Sequence, residues 1–221
     1  WTGGEYEPFE AAVRALALGQ IDCDVVPLDM LADAVVENGR LRVAEETFDV
    51  LVIPYGQRRP EAADAVLRRL AAAGLPLVWV REKTMPLPGA TVAADELADH
   101  LRSCGWYDLA VTQAAPELRF YHYHFADGDA YFLVNESLQD VLQVRLSFRE
   151  ARPQFGYDPL HNRWTGAPEG ADFPLELAPG ATTFVIRGVP PPTVPAWVEF
   201  HPATVIPVEA EWEISTAAAE A

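Results

Sequence analysis

Residues 118–135 read Leu118-Arg-Phe-Tyr-His-Tyr-His-Phe125, Ala126-Asp-Gly-Asp129, Ala130-Tyr-Phe-Leu-Val-Asn135. Two aromatic-rich runs flank a turn built on Asp and Gly, which is the pattern of an antiparallel hairpin. Downstream the period of two persists. Val141 to Phe148 alternates apolar and polar residues, Phe173 to Leu177 does so more briefly, and Thr182 to Arg187 closes the run. Short strands separated by turns, with no helical period among them, predict a β-sandwich over 114–189.

Upstream of Pro116 the pattern is different. Phe48-Asp-Val-Leu-Val-Ile-Pro54 is a β-branched strand closed by proline. Pro60 starts a helix whose stripe is Ala63, Val66, Leu67 and Leu70, and Gly74 ends it. Leu77-Val-Trp-Val80 is the next strand, Asp95 is expected to cap a helix through Leu101, and a short strand is expected near Leu109–Val111. Further back lie a helix with Phe9, Val13, Leu16 and Leu18, a strand over Asp24–Leu28, a short helix from Leu31 to Val36, and a small hairpin around Asn38-Gly39. Helices alternating with short buried strands predict a parallel sheet covered on its faces. The fold expected is therefore an α/β flavodoxin-like domain over 1–113, lacking its first strand, followed by the all-β sandwich. Pro190-Pro-Pro-Thr-Val-Pro195 then reads as a semi-rigid linker, and Glu211–Ser215 as the opening strand of a further domain within 190–221. With Trp1 leading straight into a helix pattern, the chain reads as a segment of a larger protein.

The balance of 16 basic against 33 acidic residues leaves a net charge of −17, which repels phosphate backbones and anionic lipid surfaces. Neither nucleic acid nor membrane is an expected partner. Two cysteines, Cys23 and Cys104, make neither a disulfide framework nor a zinc motif, so a reducing compartment is the simpler reading. The single lysine, Lys83, beside abundant alanine hints at a GC-rich bacterial source.

No position supplies a nucleophile on a strand-to-helix turn: the place after the 50–53 strand holds Pro54-Tyr55-Gly56-Gln57. Both cysteines read as inert, buried structural thiols. His122 and His124, two apart on a strand, share one face, but no third ligand is indicated by the sequence and no metal is assigned. Asn135-Glu136 resembles a catalytic pair, yet it stands at a hairpin end. No cofactor loop follows any strand. The more informative grouping is the set of strand ends, because open parallel sheets bind ligands beyond the carboxyl ends of their strands. Trp1, Glu5, Tyr55, Gln57, Arg58, Glu82 and Lys83 would converge there, suited to stacking on a sugar ring and hydrogen-bonding its hydroxyls. The alternative for that edge is packing against a neighbouring domain. In the sandwich, Tyr157 and Trp164 flank a turn and would form an aromatic platform, or else a domain contact.

These runs resemble a known setting. Asn38-Gly-Arg-Leu-Arg-Val43, Phe48–Pro54 and the Pro-started helix look like the class I glutamine amidotransferase-like domain that follows the catalytic barrel in large bacterial glycoside hydrolases, such as family 42 β-galactosidases and α-L-rhamnosidase-type enzymes. Arg119-Phe-Tyr-His122, Tyr131-Phe-Leu-Val-Asn135 and Asp158-Pro159 are similar to the sandwich after it. The resemblance implies a non-catalytic accessory region, since the catalytic carboxylates of such enzymes lie on the barrel. It implies as partners the barrel and sugar-binding domains of the same parent chain, possible carbohydrate, and a homo-oligomer in some relatives. A carbohydrate-binding module and a subunit-assembly module are the alternatives. The bacterial cytoplasm is the expected location, with export of the parent left open.

Overall fold

A computed structural model describes residues 7–54, 61–80, 88–166 and 172–188. In chain order its elements are α1 (Glu7–Leu18), α2 (Leu28–Asp33), β1 (Val35–Glu37), β2 (Arg40–Val43), β3 (Glu46–Phe48), β4 (Leu51–Pro54), α3 (Glu61–Ala72), β5 (Leu77–Val80), β6 (Ala90–Val92) and α4 (Leu97–Ser103). The β-rich remainder is β7 (Leu109–Val111), β8 (Leu118–Phe125), β9 (Gly128–Asn135), β10 (Leu142–Phe148), β11 (Gln154–Asp158), β12 (Arg163–Thr165), β13 (Asp172–Leu177) and β14 (Thr182–Gly188). The protein is mostly β, with few helices and several sheets.

The first part is organised by β5, whose four residues are all buried. β4, β5 and β6 lie side by side in that order, parallel throughout. Alternate side chains of β5 serve two cores. Leu77 and Trp79 join Leu41, Val43, Leu67 and Leu70 on the face covered by α3 and the small β1-β2-β3 sheet. Val78 and Val80 join Ala12, Leu16, Leu97 and Leu101 on the face covered by α1 and α4. A strand buried on both faces must be continuously apolar, which is why residues 77–80 lack polar alternation. The Trp79 indole, otherwise a buried donor, gives its N–H to the Pro88 carbonyl at 2.9 Å. Arg69 on α3 donates to the carbonyls of Leu31, Ala32 and Ala34 at 2.9 Å each, closing the C-terminal end of α2, whose last carbonyls have no partner within the helix.

The second part is a sandwich. A five-stranded antiparallel sheet, β12-β11-β14-β9-β8, packs on a three-stranded one, β13-β10-β7, around Leu118, Tyr131, Leu133, Leu146, Phe173 and Val185. The two parts meet along a seam. The Gln20 side chain, buried at the end of α1, donates to the carbonyls of Ala115 and Leu118 at 2.9 and 3.2 Å. Asp49 bridges Arg40 and Arg149 at 2.6 and 3.2 Å.

Several local expectations are corrected. Residues 24–27 form no strand: Val25 is exposed, no described strand pairs with the segment, and Pro27 stands extended as the residue before α2, which begins three residues earlier than read. Asp95 makes no side-chain cap; it lies in a short 3-10 turn (Ala94–Glu96) leading into α4. Leu109–Val111 is a strand, but it hydrogen-bonds to β10 in the sandwich and not to the parallel sheet. β6 and β12 have too few residues to show a period and escaped sequence reading. The hairpin at Asn38-Gly39 forms with both residues at positive φ (53° and 79°), as a tight turn of that twist requires.

Candidate functional site

Trp1, Glu5, Tyr55, Gln57, Arg58, Glu82 and Lys83, expected to converge at the strand ends, lie outside the described residues. Tyr157 and Trp164 are described, and the sandwich brings them together. They are direct cross-strand partners on β11 and β12, with ring centroids 4.6 Å apart and planes tilted by 36°. The Tyr157 hydroxyl donates to Asn162 Oδ1 at 3.2 Å, which fixes its ring beside the turn. The same turn is organised by Asp158, which accepts from the backbone N–H of Leu160 and His161 and pairs with the His161 ring at 2.7 Å. That ring hydrogen bond holds the Asp158 pKa below its usual value.

The pair is one end of a longer feature. Following the strand register, Trp164 faces Tyr157, Tyr157 faces Phe184, Phe184 faces Phe132, and Phe132 faces Tyr121. One aromatic side chain from each strand thus crosses the whole five-stranded sheet. All five lie on the face away from the sandwich core, four of them half-buried and Tyr121 64% exposed. Tyr123 and Phe125 extend the exposed aromatic surface along β8, at 51% and 53%. A solvent-facing sheet ordinarily alternates to polar residues, whereas this outer face carries an aromatic row.

On the inner face of β8, at the rim of the core, stands a second cluster. His124 and Asp129 are cross-strand partners at the end of the β8-β9 hairpin, and His122 lies one step further along the same face. His122 Nε2 and His124 Nδ1 both contact Asp129 Oδ1, at 3.0 and 2.9 Å, while Arg152 donates to Asp129 Oδ2 at 2.9 Å. Asp129 is buried, and its carboxylate is satisfied by three charged or chargeable donors. Burial alone would raise its pKa; the hydrogen bonds from His124 and His122, with the charges of His122 and Arg152, outweigh this and leave it lowered. For His122, burial pulls the pKa down, but hydrogen bonds to Asp108 and Asp129 prevail and it is raised. The His122 ring stacks on Tyr131 at 4.4 Å with planes 6° apart, so its orientation is set by packing as well as by hydrogen bonds. Its other nitrogen, Nδ1, is 3.7 Å from Asp108 Oδ2. Asp22, from the loop after α1, completes this side of the ring. Although Asp22 is exposed as a residue, crowding of its carboxyl, followed by repulsion from Asp108, lifts its pKa to about 6.

The sequence singled out the two histidines but not Asp22, Asp108, Asp129 or Arg152. Only the hairpin register, which sets Asp129 opposite His124, was accessible from local pattern. The remaining candidates have structural duties. Asn135 is fully buried and donates to the carbonyls of Asp140, Leu177 and Ala178 at 2.9, 3.1 and 3.1 Å, while Glu136 is ion-paired to Arg119 at 3.0 Å. Cys23 and Cys104 are exposed, not buried as expected. The Cys23 thiol is nevertheless crowded by the chain and by Asp22 and Asp24, which raises its pKa and disfavours the reactive thiolate.

No protein-family model and no curated protein matches the sequence. Among solved structures, a rhamnosidase from Novosphingobium sp. PP1Y aligns over 80% of this chain and 21% of its own, with 15% identity and a TM-score of 0.63. The chain thus spans about a fifth of that protein, and the likeness is one of fold. An α-amylase from Anoxybacillus (10% identity, 59% of this chain and 34% of its own, TM-score 0.30) and AmyP in complex with maltose (12% identity, 57% and 21%, TM-score 0.26) share less, and at that level the resemblance carries no argument. Among the described residues no helix is long and apolar enough to cross a membrane.

Proposed function

We propose that the chain is a non-catalytic accessory region of a glycoside hydrolase, acting in carbohydrate metabolism beside a catalytic barrel and contributing to the rim of its sugar pocket. The observation that carries this reading is the fold held in common with one fifth of a rhamnosidase over four fifths of this chain. Within it, the parallel β4-β5-β6 sheet with helices on both faces supports a reduced amidotransferase-like, flavodoxin-like domain ahead of the sandwich, with the boundary before Leu109 and not at 113, because β7 belongs to the sandwich; 190–221 is proposed as a Pro-rich linker and the start of a further domain. The strand-end residues Trp1, Glu5, Tyr55, Gln57, Arg58, Glu82 and Lys83 are proposed for the pocket rim, with the bacterial cytoplasm as location. The test is to assay the 221-residue chain beside one extended toward its N terminus on a panel of aryl glycosides. Hydrolysis by the longer chain alone is expected, and turnover by the shorter one overturns the reading.

The aromatic row favours a second reading, a carbohydrate-binding surface. Half-exposed rings fixed on a rigid sheet can stack on sugar rings at low entropic cost. Titration calorimetry with oligosaccharides should then show binding by the chain alone, lost in Trp164→Ala and Tyr157→Ala. Binding unchanged in both variants removes the aromatic row from consideration as the sugar surface.

A further inference from the structure

Three side chains from three separate segments converge where the α/β part meets the sandwich. Asp22 comes from the loop after α1, Asp108 from the turn between α4 and β7, and His122 from β8. Their ligand atoms all lie within 4.8 Å of one another, with His122 Nδ1 and Asp108 Oδ2 at 3.7 Å. Ligands held about 2.0–2.1 Å from a tetrahedral zinc stand about 3.4 Å apart. Closing the set therefore asks for a movement on the order of 1 Å, which Asp22, on an exposed loop, is placed to supply.

The surroundings are those of a metal-binding histidine. A ligating imidazole characteristically gives its other N–H to a carboxylate, which fixes the tautomer and aims the free nitrogen at the metal. Here Asp129, buried and anchored by Arg152, takes the Nε2 side of His122 at 3.0 Å, leaving Nδ1 toward the two aspartates. Tyr131 stacking on the ring removes the remaining rotational freedom. Two carboxylates crowded together repel, and a cation between them relieves that repulsion. Nitrogen plus two oxygens, with only three protein ligands, suits zinc better than calcium, which takes six to eight oxygens.

We propose that Asp22, Asp108 and His122 bind a single Zn²⁺, oriented from behind by Asp129, and that this ion clamps the α/β part to the sandwich. Water completes the coordination on the exposed side of Asp22.

The decisive experiment is calorimetric titration of ZnCl₂ into the chelator-stripped 221-residue chain, with MgCl₂ and CaCl₂ alongside. One equivalent of zinc is expected to bind, with a rise in melting temperature that magnesium and calcium do not reproduce. Asp108→Asn and His122→Gln should each weaken zinc at least tenfold, and Asp129→Asn should weaken it on the order of tenfold although it touches no metal. Because His122→Gln perturbs a packed ring, Asp22→Asn on the exposed loop serves as the variant whose folding is not in question, and it too should lose at least tenfold. Co²⁺ in place of zinc should give visible d–d bands without a thiolate charge-transfer band. A thiolate band would assign the ion to Cys23 or Cys104 and overturn the proposal, as would zinc affinity unchanged in Asp22→Asn or no binding at micromolar zinc.

Discussion

Replacing Asp129 by alanine removes the carboxylate on which His122, His124 and Arg152 converge at 2.9–3.0 Å. A hydrogen bond to a charged group contributes about 1.5–3 kcal/mol when buried. The three bonds here are not equal. The carboxylate itself is 8% exposed and His122 18%, but His124 is 72% and Arg152 36% exposed, so water takes back most of what their bonds contribute. Counting the His122 bond nearly in full and giving the two solvent-screened partners no weight leaves a loss of about 2 kcal/mol. For a chain of this size each kcal/mol moves the melting temperature by about 2–4 °C, so a fall of about 4–8 °C is expected. Asp129→Asn retains an acceptor oxygen and should lose about half as much. Thermal unfolding followed by circular dichroism in metal-free buffer, with Asp127→Asn in the exposed turn two residues before Asp129 as the comparison, reads the effect directly. A drop under about 2 °C for the alanine variant, or equal drops for the two positions, would refute the view that Asp129 organises the rim of the sandwich.

Asn135→Ala removes the fully buried side chain that donates to the Leu177 carbonyl and accepts from the Ser137 backbone N–H, while the Ala178 carbonyl keeps the Ala181 N–H, and urea unfolding should show a loss of about 2 kcal/mol. Gly128→Ala would drive a Cβ into the backbone carbonyl of Arg187 across the β9-β14 pair, so a loss of about 2 kcal/mol is expected where an ordinary strand glycine would gain from alanine. Asp22 gives a pH-dependent outcome. Its pKa is raised from 3.8 to about 6 in the folded protein, so the folded state holds the proton more tightly, and ionisation costs stability in full above about pH 6 and not at all below the unfolded value. Full conversion at about 1.4 kcal/mol per pKa unit approaches about 3 kcal/mol, and exposure of the residue reduces this to about 1. In chelator, Asp22→Asn should therefore be about 1 kcal/mol more stable than the parent chain near pH 8 and no different near pH 3, as measured by urea midpoints at the two pH values.

The sequence by itself determined the elements whose apolar pattern is long or strongly placed. Leu77–Val80 is continuously apolar because it is covered on both faces, and the runs around Asp127-Gly128 form a hairpin because the turn chemistry and the alternation agree. Asn38-Gly39 and Gly74 stand where the backbone needs positive φ, and those positions were legible from residue type alone. Tertiary structure decided whatever depends on a partner distant in the chain. Asp24–Leu28 has some strand character, but a strand exists only through its neighbour, and among the described residues it has none. Leu109–Val111 was legible as a strand while its sheet was not, because three residues carry no information about which edge they join. The aromatic row needed the register of five strands before Trp164, Tyr157, Phe184, Phe132 and Tyr121 could be recognised as one surface. The cluster at the seam is the extreme case. His122 and His124 announce themselves by their spacing, whereas Asp22 and Asp108 lie far away in a chain with 33 acidic residues, where no single carboxylate stands out until folding sets it beside an imidazole.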